Sequence, residues 1–218
     1  MRLTAVCALC LFVTGCNVQI GAGVQGSGNK VTDIRAVDTF SKIKLDSSAD
    51  VVVEIADEQS VEVDVDDNLV EIITTEVSGD TLSIGSSESY SSRTGVVVRI
   101  KVAKLDTVSL MGSGEIKVDG LAADDFSATV TGSGDVVVVG AAKTVTAKVT
   151  GSGDVDCSAL KAETANARVT GSGDVSVSAS KFVKAKITGS GDIDYSGHSG
   201  SSPNVDTSVT GSGDINKR

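Results

Sequence analysis

The chain has 218 residues and a formal net charge of −10, with 24 glycines, one proline, one histidine, no tryptophan and 3% aromatic residues. That length and a 40% hydrophobic content are enough to bury a core. The acidity and the shortage of aromatics argue against nucleic acid, and a single histidine argues against His-rich metal sites and His-based acid–base catalysis.

Residues 1–15 have the form of an export signal. Arg2 is the only charge, Leu3 to Val13 is an apolar run, and Val13-Thr14-Gly15-Cys16 closes it. The run is too short to span a bilayer as a helix. An apolar residue, two small ones and a cysteine in that order resemble the lipobox of bacterial lipoproteins. The resemblance implies cleavage before Cys16, a diacylglycerol thioether on its sulfur and acylation of the new amino terminus, so the expected partner is a membrane, reached through a lipid anchor. Cys7 and Cys10 would leave with the signal and Cys16 would carry lipid. Cys157 is then the one remaining thiol, with no intramolecular disulfide to form.

Residues 16–32, small, polar and Gly-rich, read as the lipidated cysteine and a flexible tether. The folded domain is expected over 33–218, in two parts with no linker between them. Residues 33–110 carry plain strand patterns (FSKIKL, ADVVVEI, SVEVDV, DTLSI, GVVVRIKV). Most of the negative charge lies toward this end, with 16 acids and 8 bases over 17–110 against 13 and 10 over 111–218. Two separate β subdomains are the other organisation this texture allows.

Residues 111–218 are dominated by repetition. Gly-Ser-Gly followed by an acid starts at Gly112, Gly132, Gly151, Gly171, Gly189 and Gly211, at spacings of 20, 19, 20, 18 and 22. A period near 20 flanked by alternating apolar and polar residues predicts the coils of a β-solenoid. Aligned copies give inward columns: Leu110, Val130, Val149, Val169, Ile187 and Val209 in one, and a small column with Ala128, Ala147, Ala167 and Ala185 in another. Ile116, Val136, Val155, Val175, Ile193 and Ile215 form a third, and Cys157 falls in a fourth beside Val138 and Val177. Outward columns hold a threonine ladder (Thr131, Thr150, Thr170, Thr188, Thr210) and a basic stripe, Lys148, Arg168 and Lys186.

The runs IRAVDTFSKIKLDSSADVVVEI, VEVDVDDNLVEIITTEVSGDTLSI and KLDTVSLMGSGEIKV, with Asp67-Asn68-Leu69 and the repeated Gly-Ser-Gly-Asp, resemble the head GIN domain family, a group described as adhesins. The resemblance runs from about Val31 to the end of the chain. It implies an all-β, right-handed parallel β-helix with coils of about 20 residues, bacterial export and frequent lipoprotein anchoring. It supplies no catalytic residues.

Two sets of residues are candidates for chemistry. The acids after each turn (Glu115, Asp135, Asp154, Asp174, Asp192, Asp214) would stack about 4.8 Å apart and repel by about 1 kcal/mol per neighbour in water. A row of bound cations would relieve that, but neither a nine-residue calcium repeat nor an EF-hand loop is present, so a turn role is favoured and no dedicated metal site is expected. Lys148, Arg168 and Lys186 form a candidate ligand face for an acidic sugar. Iterated acids in equivalent surroundings do not make the unequal pair that catalysis needs. His198, in a pliable loop, reads as a surface residue and Cys157 as a buried hydrophobe. The expectation is therefore a non-enzymatic binding or adhesion module of the bacterial cell envelope, outer membrane favoured, without a cofactor and with an envelope glycan or protein as ligand. The alternatives are a polysaccharide-active enzyme, or a structural lipoprotein forming homo-oligomers through its sheet ends.

Overall fold

The structure, a computed structural model, describes residues 23–218. The expected signal segment, Cys16 and the start of the expected tether lie outside the described residues. The strands are β1 (Val24–Gln25), β2 (Lys30–Ile34), β3 (Lys42–Leu45), β4 (Asp50–Ile55), β5 (Ser60–Asp66), β6 (Ile73–Ser78), β7 (Thr81–Ser86), β8 (Tyr90–Ser91), β9 (Val97–Val102) and β10 (Thr107–Gly112). They continue as β11 (Glu115–Gly132), β12 (Asp135–Gly151), β13 (Val155–Gly171), β14 (Val175–Gly189), β15 (Ile193–Ser196), β16 (Asn204–Gly211) and β17 (Ile215–Lys217). One 3₁₀ turn, Asp67–Leu69, interrupts them.

From β10 onward the chain is a parallel β-solenoid of coils about 20 residues long, and equivalent residues face one another in register. Val108 pairs with Ala128, Ala128 with Ala147, Ala147 with Ala167 and Ala167 with Ala185. The alternation of apolar and polar residues buries one side of each strand, and the columns through Leu110 and Ile116 are closed to solvent in every interior coil, as is the Val118 column through Val177. Each buried Val or Ile contributes roughly 1.5–3 kcal/mol, so the stack and not the single coil is the stable unit. The last coil differs, because no further described coil covers it: Val205 and Val209 are 36% and 45% exposed.

Glycine is required where coils meet at the turn. Gly151 has φ +128°, and a Cβ on Gly153 would run into the carbonyl oxygen of Gly134 in the coil before. The Gly-Ser-Gly spacing therefore lets turns stack at the strand spacing.

Apart from β1 and β8, which form a two-stranded sheet of their own, the amino-terminal part belongs to the same 15-stranded sheet but is stacked out of sequence. β3 and β4 form a coil that pairs with β10 and β11 on one side and with β7 and β9 on the other. The chain thus lays down an inner coil, moves outward, and returns. Antiparallel strands end the stack: β6 on β7, and β5 on β9 with β2 on β5.

The tether expectation needs correction over its second half. Val24–Gln25 pairs in parallel with Tyr90–Ser91, and Lys30–Ile34 pairs antiparallel with β5. Between them, residues 26–29 are held by acceptors from the turn after β5. Asp66 Oδ1 accepts the Gly28 N–H (3.0 Å), Asn68 Oδ1 accepts the Ser27 N–H (2.8 Å) and Asp67 accepts the Ser27 hydroxyl (2.5 Å). Composition alone reads as a free linker, but a glycine-rich segment also exposes its backbone N–H groups, and here the Asp66 carboxylate and the Asn68 side-chain amide oxygen take two of them.

Candidate functional site

The turn acids form a hydrogen-bonded ladder. The backbone N–H of Asp154 donates to Asp135 Oδ1 (3.1 Å), that of Asp174 to Asp154 Oδ1 (2.8 Å), that of Asp192 to Asp174 Oδ1 (2.7 Å) and that of Asp214 to Asp192 Oδ1 (2.8 Å). A hydrogen bond to a charged group contributes about 1.5–3 kcal/mol, against about 1 kcal/mol of repulsion between neighbours in water, so the column is stable without a bridging ion. Glu115 stands outside the ladder. Its longer side chain reaches Lys117 Nζ (2.7 Å), and the Asp135 N–H goes to the Gly114 carbonyl instead. Among the described residues no group of three or more His, Cys, Asp or Glu side chains is arranged to hold a metal ion.

The basic stripe lies on a different face. Lys148, Arg168 and Lys186 are register partners on β12, β13 and β14, bounded by Thr129 on β11 and Ser208 on β16. All three are exposed, and none takes part in an ion pair among the described residues. Lys184, two residues before Lys186, points the same way and is exposed as well. The Thr150, Thr170 and Thr188 hydroxyls run beside the stripe, also in register. The acids and the cations that the sequence singles out are therefore not brought together.

A shallow groove of about 1010 Å³, which sequence reasoning did not find, lies where each coil bends between β11, β12 and β13. Ala122, Ala141 and Ala142 line its floor, and Asp106, Asp124, Asp125 and Glu163 outnumber Lys104 and Lys143 around it. Lys104 pairs with Asp106 (2.9 Å), Lys143 with Asp124 (2.7 Å) and Lys181 with Glu163 (2.6 Å). The variable stretches GLAADDF, GAAKTV and LKAETA, which supply most of this wall, are the only signal for it in the sequence.

The strongest concentration of buried charge is at the other end. Asp66 is fully buried. Burial pushes its carboxyl up, but the Ser92 hydroxyl, the Arg93 and Gly28 N–H groups and the Thr94 hydroxyl together hold it below the ordinary carboxylate value. Asp64 is held low first by the Thr32 hydroxyl, against the penalty of burial, and then by Arg99. Asp67 is held low chiefly by the Ser27 hydroxyl. Every one of these partners is structural. Cys157 is buried with its thiol pushed up to about 12 by desolvation, so it has no thiolate character at neutral pH. His198, read from the sequence as a surface residue, is part-buried and places Nε2 2.7 Å from the Ala162 carbonyl oxygen, which makes Nε2 the protonated nitrogen, while Nδ1 has no partner among the described residues.

Comparison with known proteins agrees with this architecture. No curated protein matches the chain. A putative adhesin from Bacteroides fragilis NCTC 9343 is similar in structure, with a TM-score of 0.73 and 23% identity over 90% of this chain and 100% of that one. A putative lipid binding protein from Parabacteroides distasonis ATCC 8503 aligns with a TM-score of 0.59 and 24% identity over 89% of this chain and 99% of that one. A putative adhesin from Parabacteroides merdae ATCC 43184 aligns with a TM-score of 0.57 and 21% identity over 89% and 98%. At these identities the likeness speaks for the fold. The profile of the putative auto-transporter adhesin, head GIN domain family matches residues 39–199, and with the coils, the turns and the Asp67-Asn68-Leu69 turn in place, the chain belongs to that family.

Proposed function

We propose that the protein is a non-enzymatic binding module of the adhesin class, held at the bacterial cell envelope by lipid on Cys16. The observation that carries the non-enzymatic reading is the common use of the turn acids. Asp135, Asp154, Asp174 and Asp192 each accept one backbone N–H from the next coil, so none differs from its neighbours as a general acid or nucleophile must. The other low-lying carboxyls, Asp64, Asp66 and Asp67, are filled by donors of the fold itself. What remains free for recognition is the outward surface, where a rigid register displays the same positions from coil to coil.

Family membership supports the adhesin class, and the sequence before the domain supports the anchor. Two experiments test the reading. The full chain should be retained by cell-envelope fractions without consuming or altering them, and Cys16→Ser should move it from the membrane fraction to the soluble one. Release of cleaved glycan by the wild-type chain, lost on changing a single acid, would replace the binding reading with an enzymatic one.

A further inference from the structure

The outward face of β10–β14 and β16 is a regular lattice. Residues 107–112, 127–132, 146–151, 166–171, 184–189 and 206–211 align without a register shift, the shifts along β11–β14 falling earlier in each coil. In the three outward columns starting at Thr107, Ser109 and Met111, hydroxyl residues predominate and Asp206 is the only acid. Against it stand four cations, Lys148, Arg168, Lys184 and Lys186. Like charges directly opposite one another on neighbouring strands are destabilising. The chain has a surplus of acids, and nine other cations are in ion pairs, yet these four make none among the described residues, and only Lys184 has a carboxylate, Asp206, opposite it. An arrangement that opposes folding and leaves its charges open to solvent calls for an anion from outside.

Its borders say what shape of anion. On one side the face ends at the turn acids Asp135, Asp154, Asp174 and Asp192. On the other it ends at the groove, with Asp106, Asp124, Asp125 and Glu163. The cations therefore form a strip between the turn acids on one long edge and, on the other, a groove whose Asp106, Asp124 and Glu163 are already paired with lysines, and the strip runs across the strands, along the solenoid axis. A planar anionic surface would press the column of turn acids against negative headgroups. A nucleic acid strand would find no aromatic platform on this face.

We infer that the strip binds a single extended acidic polysaccharide laid along the axis, with its anionic groups over Lys148, Arg168 and Lys186 and against the Thr150, Thr170 and Thr188 hydroxyls. This rests on the binding-module reading and names its ligand class. Several weak contacts on one polymer add through multivalency, so affinity rises with polymer length and falls with added salt.

The test is equilibrium binding of the purified full chain to fluorescently labelled polygalacturonate, read by anisotropy. The galacturonate monomer, neutral dextran and phosphatidylglycerol vesicles serve as comparison probes. The wild-type chain binds the polymer, far more weakly in high salt, and binds monomer and dextran negligibly. K148S/R168S/K186S loses about tenfold or more in affinity and melts no lower than wild type. K101S/K117S/K161S, which removes the same charge from other faces, keeps affinity within about twofold. Failure to bind polygalacturonate at low salt, or equal losses in the two triple variants, overturns the proposal. So does vesicle binding that K148S/R168S/K186S abolishes, which would make a planar anionic surface the ligand. If, in the anchor-free Cys16→Ser background, K148S/R168S/K186S still adheres to envelope fractions as the Cys16→Ser chain does, the polyanion is wrong while the binding module stands.

Discussion

The two ends of this solenoid solve one problem in opposite ways. Tight turns and returning segments leave backbone N–H groups without partners, and both ends satisfy them with carboxylates. In the repeat part each exposed Asp takes one N–H from the next coil, and the same bond recurs from Asp135 to Asp214. In the amino-terminal part, Asp66 alone, fully buried, gathers N–H donors from Gly28 and Arg93 and hydroxyls from Ser92 and Thr94. Iteration spreads the stabilisation thinly over equivalent sites, and the cap concentrates it at one. The repeat is accordingly a scaffold tolerant of change at any one acid, and the cap is where the fold is most exposed to a single substitution of a polar residue.

The largest effect should come from the stacking geometry common to every coil. Gly153→Ala forces a Cβ into the Gly134 carbonyl oxygen, and should cost about 3 kcal/mol, read in thermal unfolding as a fall in Tm of about 6–12 °C. Next, Asp66→Asn puts an amide where N–H and O–H donors converge, and should lower Tm by about 5 °C and speed hydrogen exchange over residues 24–34. Asp174→Asn, the same exchange within the ladder, should lower Tm by about 2 °C or less. Equal losses for the two Asn variants would end the contrast between iterated and concentrated satisfaction.

Acid sharpens the contrast further. Asp64, Asp66 and Asp67 all have folded-state values below the ordinary 3.8. Their contribution is complete above the unfolded value and is lost as pH falls through the depressed folded values. Hydrogen exchange should therefore show the 24–34 arm loosening below about pH 4 while the coils of β12–β14 stay protected. The smallest expected effect is none: calcium or a chelator should leave Tm unchanged, since the Asp column already has backbone donors. A chelator-sensitive Tm would restore the cation reading of that column.

The repeat part was legible because a residue's environment there is set by its position in the period. Leu110, Val130 and Val149 are buried for the same reason, and one aligned column predicts the next. The stripe Lys148, Arg168, Lys186 could be placed outward by alternation alone. The cap was not legible, because its stacking is non-sequential: nothing local in β3 says that β7 and not β4 lies beside it. The hold of Asp66 and Asp67 on residues 26–29 spans about forty residues of chain. Its one sequence trace is Gly26-Ser27-Gly28-Asn29, a further Gly-Ser-Gly followed by a polar residue in place of the acid. The groove depends on the angle at which coils bend, which alternation does not encode.

The most direct test of the account compares two variants in one assay: retention on cell-envelope fractions of the Cys16→Ser chain, which lacks the lipid anchor, carrying K148S/R168S/K186S or D154N/D174N, each checked for an intact fold by thermal unfolding. The account predicts that the cation variant loses most of its retention and the acid variant keeps it, because the acids serve the fold and the cations face the ligand. Loss of retention in a folded D154N/D174N, with K148S/R168S/K186S unaffected, would contradict it.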